Sequence, residues 1–348
     1  MNIKAQDLMN LMEEWAPARL AESWDHPGLQ VGNPEQPVKK VLISLDLTEA
    51  NVDRAAKEGA SMIISHHPFL FKSLHRIDLS TYKGRVIEKL IKHDILSFAA
   101  HTNLDTAKDG VNDALADALD LTDRSGLVME ETEPLLKVAA YTEFVKAREF
   151  KGILERKYKG RAGYFYLLGD ADDSSRMGKM EFNAASSALK EIMEDLRSVC
   201  GEVHCDIYEL KNGASHEYMG RLGKLPRPME GKEALLYIKE KLGIPDLRYA
   251  GNTDITVCRV AVLGGAGSEF ASLAKAKGAD LYLTGDLKYH EAQDAAAMGL
   301  LIADGGHFFT ERVVVPKLAE RIRREAEKRN WDLEVLEDSG AEDIFGHV

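Results

Sequence analysis

Apolar positions in the first third of the chain change period twice between residues 41 and 65. Residues 41–45 form a short β-branched and apolar run, and 49–57 have the spacing of an amphipathic helix. Gly59 stops that helix, and 61–65 are apolar again. Strand, helix, strand in this order predicts a βαβ unit, and with it a parallel or mixed sheet covered by helices.

The last third repeats the plan. Residues 259–263 read as a strand, 268–277 as a helix stopped at Gly278, and 280–284 as a second strand. Laid over the first copy, Gly278-Ala279 falls on Gly59-Ala60 and the run DLYLT falls on SMIIS. Further on, a helix (85–93) and strand (96–100) lead into His101-Thr-Asn-Leu-Asp105, while a helix (290–298) and strand (300–303) lead into His307-Phe-Phe-Thr-Glu311. Each copy therefore sets a histidine and a carboxylate four positions apart just past a strand end. An internal duplication and a chance likeness between two common βαβ units both fit this pattern.

The middle of the chain reads differently: strand 136–141, helix 147–157, strand 163–168, strand 177–182, helix 185–199, strand 202–210. That is the βαββαβ order of a ferredoxin-like sandwich, with the polar residues 169–176 as its central turn. The expected fold class is thus α/β: two related α/β halves with mixed sheets, 1–133 and 213–348, form one core domain, and an inserted ferredoxin-like α+β domain occupies 134–212. A chain of 348 residues exceeds the usual size of a single domain and accommodates this division.

Composition narrows the function. Hydrophobic and charged fractions of 45% and 29% are those of an ordinary globular protein. With 57 acidic against 45 basic residues the formal charge is -12, which argues against nucleic acid or an anionic membrane as partner, although a local site for a small anion is compatible with it. The first twenty residues have helical spacing without the basic-then-apolar order of a signal peptide, and no apolar run reaches bilayer-spanning length. Three cysteines without C-x-x-C spacing suit a reducing compartment. A cytoplasmic protein follows as the expectation.

The candidate chemistry lies at the predicted strand ends. His66 and His67 close a strand, where open α/β sheets place their ligand sites. Neighbouring side chains on extended backbone point apart, so the pair suits two metals, or one metal and a supporting role, better than chelation of one ion. His307 and Glu311 share a face if a helix starts near His307, and imidazole with carboxylate suits Zn²⁺, Mn²⁺ or Fe²⁺. Taken alone, H-x-x-x-E reads as well as an exposed ion pair. His101 and Asp105 form the matching pair, but Asp105 fits equally well as a helix cap before 110–119. Together His66, His67, Asp105, His307 and Glu311 supply three imidazoles and two carboxylates. Two ions about 3.5 Å apart on such a set would serve hydrolysis. The loop Gly264-Gly265-Ala266-Gly267 between strand and helix is either a tight turn or a phosphate cradle, and the G-x-G-x-x-G of a dinucleotide site is absent.

At this point the chain resembles a known family. Ser23-Trp-Asp-His-Pro-Gly-Leu29, Leu45-Asp-Leu-Thr48, Ser65-His-His-Pro68, His101-Thr-Asn-Leu-Asp105, Thr284-Gly-Asp286 and Gly306-His-Phe-Phe-Thr-Glu311 look like the successive motifs of the NGG-interacting-factor-three-like family. Its members commonly carry the name GTP cyclohydrolase type 2 homologue. The resemblance implies two divalent metal ions per chain, zinc or else manganese, iron, magnesium or nickel, on His66, His67, Asp105, His307 and Glu311, with Glu311 bridging. It implies supporting or substrate-facing roles for His101, Asp286 and His290. It further implies a toroidal homohexamer, a trimer of dimers, and a nucleotide or other small anionic ligand. The central insert would resemble nitrogen-regulatory and copper-tolerance trimers. Two departures stand out: His26 replaces the usual asparagine of the first motif, and the insert lacks the long glycine-rich loop between its middle strands.

Overall fold

The structure is a computed structural model that describes residues 2–168 and 177–346, so the expected turn over 169–176 lies outside the described residues. The chain divides into two compact units, Met1–Val128 with Tyr218–Val348, and Met129–Glu217.

In the first unit, two sheets follow one plan. The strands Lys40–Ser44, Met62–Ser65 and Leu96–Ala99 run parallel, and Gly28–Val31 is antiparallel beside the last of them. In the other sheet Thr256–Ala266, Leu281–Gly285 and Leu301–Asp304 run parallel, and Arg248–Ala250 is antiparallel beside the last. Outside the first strand of each trio lies a fourth partner. Glu334–Glu337 is parallel to Lys40–Ser44, and residues Arg221 to Glu230 pair antiparallel with Val262 to Thr256. The unit is a mixed α/β structure.

The central strands read as unbroken apolar runs because both faces are covered. Val41, Ile43, Met62 and Ile64 point inward onto a core shared with Val260, Val262, Leu281 and Leu283 and with the helices Ala5–Trp15, Val111–Ala118, Gly231–Leu242 and Val314–Lys328. The alternate residues Leu42 and Ile63 face the other way, under the helices Glu49–Glu58 and Tyr82–Lys92. Ala261, Tyr282 and Ile302 do the same under Ala271–Ala276 and Tyr289–Ala297. Local chemistry sets the helix ends. Thr48 accepts a hydrogen bond from the Asn51 amide at the start of Glu49–Glu58, and Gly59 closes it with φ of 73°.

In the second unit the helices are Phe144–Lys157 and Leu189–Cys200. Its strands take the order 205–217 (from Cys205–Glu230), 129–143 (from Thr122–Glu143), Met177–Ala185, Ala162–Leu168. Leu135 to Glu143 pairs antiparallel with Ala185 to Met177, which pairs antiparallel with Ala162–Leu168 on its other side. Its core of Val138, Ala147, Phe150, Leu154, Tyr158, Phe182, Ile192 and Leu196 is formed by those elements. No helix among the described residues is long and apolar enough to cross a membrane.

Candidate metal centre

Every predicted ligand sits just beyond the carboxyl end of a central strand. His66 and His67 follow Met62–Ser65 directly. Leu96–Ala99 leads into the short helix Thr102–Thr106, which carries Asp105, and Leu301–Asp304 leads into the helix His307–Glu311. Gly306, at φ of 74°, starts that last helix, so His307 and Glu311 fall on one face. Glu311 is only 3% exposed, which rules out the exposed ion pair. Asp105 does not cap the helix Val111–Ala118, whose N-cap is Gly110; it is buried instead.

The side chains form two clusters that meet at Glu311. Oε2 of Glu311 is 2.8 Å from His67 Nε2 and 3.1 Å from His307 Nε2. Its other oxygen, Oε1, lies 3.7 Å from His66 Nε2, and Asp105 Oδ1 lies 3.6 Å from the same nitrogen. Each oxygen of the shared carboxylate thus faces one cluster. His101 completes a third grouping with His66 and His67, their ligand atoms within 4.8 Å of one another, so His101 stands among the ligand atoms and not behind them.

Each of the three imidazoles is oriented through its other nitrogen. The Ala100 carbonyl, which can only accept, holds His66 Nδ1 at 2.8 Å, so that nitrogen carries the proton and the Nε2 lone pair faces the acids. Asp46 Oδ1 holds His67 Nδ1 at 2.7 Å and Asp286 Oδ2 holds His307 Nδ1 at 2.8 Å. Asp286 does so from a left-handed backbone with φ of 53°, a conformation Asp tolerates better than most residues. Burial opposes charge on His67, but its hydrogen bonds to Asp46 and Glu311 outweigh it and raise the ring to about 10; His307 rises to about 9 by the same contest with Glu311 and Asp286. Burial and the Glu311 charge push Asp105 up. Burial also opposes the charge on Glu311, yet the close contacts from His307 and His67 hold it well below the usual carboxylate range.

The donor set fits metal ions on the geometry of one corner. His66 Nε2 and Asp105 Oδ1 are buried and have no hydrogen-bond partner among the described residues. A lone pair facing two carboxylate oxygens across 3.6–3.7 Å is repulsive unless a cation lies between them. Ligands about 2.0–2.2 Å from a tetrahedral ion sit about 3.4 Å from one another, close to that spacing.

Asp46 and Asp25, both within the motifs given above, also contact the clustered histidines, although neither was among the expected site residues. Buried Asp25 accepts from the Thr102 hydroxyl at 2.6 Å and lies 3.0 Å from His101 Nδ1. Burial works against its charge, but these partners hold it at about 2. Within the first motif it is Asp25 that contacts His101, while His26 is exposed. His290 is also exposed, its ring against Tyr289, and joins none of the clusters. The glycine loop is no phosphate cradle: its Gly264 and Gly265 amides are already bonded to Asn112 Oδ1 and Thr310 Oγ1. Gly265, at φ of 65°, instead leaves room for Glu311, since a Cβ there would lie 2.2 Å from Oε1.

Fold and site together define a mixed α/β protein with a carboxylate-bridged cluster of imidazoles at the ends of its strands. A family model described as Duf34/NIF3 (NGG1p interacting factor 3) matches residues 3–342, and the chain belongs to that family. A Bacillus subtilis relative named "GTP cyclohydrolase 1 type 2 homolog" is 34% identical over 331 residues, covering 88% of this chain and 89% of its own. A Halalkalibacterium halodurans protein of the same name is 34% identical and covers 99% of this chain and 98% of its own. Among solved structures, the Bacillus cereus protein related to NIF3 matches with a TM-score of 0.91 at 32% identity over 99% of both chains. A Staphylococcus aureus protein matches with a TM-score of 0.84 at 29% identity, again over 99% of both.

Proposed function

We propose that this chain binds two divalent metal ions on His66, Asp105 and Glu311 and on His67, His307 and Glu311, and that it is a metal-dependent hydrolase acting on a nucleotide or related ring. The observation that carries the reading is the split of Glu311, one oxygen toward each cluster. The names of the relatives support a cyclohydrolase-like reaction, and the imidazole-rich donor set favours zinc. Ions held there would act as Lewis acids that polarise a carbonyl or phosphoryl oxygen and acidify water. The chain's own part is to fix the ligands. Asp46, Asp286 and the Ala100 carbonyl lock the three rings with Nε2 toward the acids. His101 faces the cavity beside them and can hold or pass a proton to a bound molecule.

The rest of the proposal concerns assembly. The four-strand order in the second unit supports a ferredoxin-like insert, and the family supports a cytoplasmic homohexamer built as a trimer of dimers. Elemental analysis of protein purified without added metal, followed by a nucleotide panel assayed against Glu311→Gln, tests the function. Two ions per chain and product release lost in the variant are expected. Equal inactivity of both proteins would leave a metal-binding scaffold.

A further inference from the structure

The metal cluster forms one wall of a cavity of about 740 Å³, and the rest of that cavity has a marked chemical bias. Its mouth is aromatic. Trp24 and Phe71 meet edge to face at 5.8 Å, and both rings meet His101 at 6.1 Å and 6.2 Å. His101 in turn meets His66 and His67, so rings run without a break from solvent to the ligands. Trp24 is 55% exposed and Phe71 47%, so both rings present apolar surface at the mouth.

Trp24 is nevertheless held in place. Buried Asp25 accepts from the amide and hydroxyl of Thr102, the Glu22 amide donates to that hydroxyl at 3.0 Å, and the Asp25 amide donates to the Glu22 carbonyl at 2.9 Å. The turn that presents the indole is therefore pinned to the short helix carrying Asp105. A solvent-facing indole on a pinned turn, with Phe71 and His101 against it, is a stacking platform beside the cluster.

Charge sets the second constraint. None of the described residues lining this cavity is Lys or Arg, whereas Glu22 and Glu269 join the site's own acids there. On the other side of the cluster a cavity of about 680 Å³ has Arg248 as the only Lys or Arg among its described lining residues, and Asp304 pairs with it. Outside the metal cluster itself, a polyphosphate would meet no Lys or Arg among the described residues lining this cavity and would approach the carboxylates of Glu22 and Glu269. Carboxylates accept hydrogen bonds, so Glu22 and Glu269 suit a ring bearing N–H or amino groups.

We infer that the molecule this site recognises is an uncharged, amino-bearing planar heteroaromatic ring without phosphates, of the nucleobase or nucleoside class, stacked on Trp24, with Phe71 against its edge and its own polar edge toward the metal cluster. The inference rests on the hydrolase reading for the identity of the site, but the ring subsite is separable from turnover.

The test is equilibrium binding of guanosine, adenosine and their triphosphates to the metal-loaded protein, read by quenching of Trp24 fluorescence and by calorimetry at fixed ionic strength. At least one nucleoside should bind roughly tenfold or more tighter than its triphosphate. Trp24→Ala should weaken nucleoside binding roughly tenfold, as expected for loss of one stacking face, and Trp24→Phe should restore most of it. Glu269→Lys should shift the preference toward the triphosphate. Triphosphates binding as tightly as nucleosides, unchanged affinity in Trp24→Ala, or an altered oligomeric state as that variant's only effect would each overturn the inference. Nucleoside binding without turnover would defeat the hydrolase reading alone; turnover of GTP unaltered in Trp24→Ala would defeat the ring subsite alone.

Discussion

Replacing Gly265 by alanine isolates the feature on which the metal centre depends, the space in which Glu311 sits. The new Cβ would lie 2.2 Å from Glu311 Oε1, while ordinary contact begins near 3.4 Å, so the carboxylate must retreat by about 1 Å. Metal coordination tolerates errors of only about 0.2 Å. Oε1 is the oxygen facing His66 and Asp105, and Glu311 is buried in a packed site that leaves it little room to relax. Ion affinity should therefore fall at least roughly 100-fold, beyond the range usual for a supporting residue. Alanine in left-handed backbone also costs about 1–2 kcal/mol, which for a unit of this size lowers the melting temperature by a few degrees. Gly59→Ala is the control: its φ of 73° is similar, and nothing lies within 4 Å of the added carbon. It should show the same thermal loss with full metal content. Elemental analysis and thermal unfolding of both variants decide the matter. Gly265→Ala with wild-type ion content would refute the claim that this glycine makes the site.

Three other outcomes are expected. Asp46→Ala removes the acceptor that orients His67, so affinity for the ion of the His67, His307 and Glu311 cluster should drop about 10–100-fold while the His66 and Asp105 cluster keeps its own; titration should then show one tight ion where wild type shows two. In protein stripped with a chelator, His67 and His307 are raised above their unfolded value, so their protonated forms contribute stability that is complete below about pH 6.5 and is lost as pH rises through about 9 and 10. Asp105, a carboxyl pushed upward, adds to that decline, and a flat melting profile from pH 6.5 to 10 would contradict both assignments. Arg221, whose side chain is 10% exposed, grips both oxygens of Asp113 at 2.8 Å and 2.7 Å; Arg221→Met should cost about 1–3 kcal/mol in urea unfolding by taking the guanidinium from that partly buried acid, and adding Asp113→Leu should recover much of the loss.

The two βαβ plans, the helix at His307 and the histidines and carboxylates at the strand ends were legible because they are local facts. A strand covered on both faces must be apolar throughout, a helix must repeat near every fourth residue, and the polar residues that follow such a strand stand at its carboxyl end. Met62–Ser65 and Leu281–Gly285 obey these constraints within a few residues of chain, so the pattern suffices to locate them. The edge strands Gly28–Val31, Arg248–Ala250 and Glu334–Glu337 were not legible. They are short and partly exposed, and they exist only because a neighbouring strand offers its hydrogen bonds.

Pairing across the chain was decided by tertiary structure alone. Whether Asp105 caps a helix or meets His66, whether Gly265 cradles a phosphate or makes room for Glu311, and whether Asp46 and Asp25 meet the clustered histidines all depend on contacts between residues tens of positions apart. No local period encodes such a meeting. The sequence alone determined which residues could bind metal, since that is a property of each side chain and its place on a strand or helix. The fold decided which of them share an oxygen, because Glu311 reaches His67 only when the two sheets close on their common core.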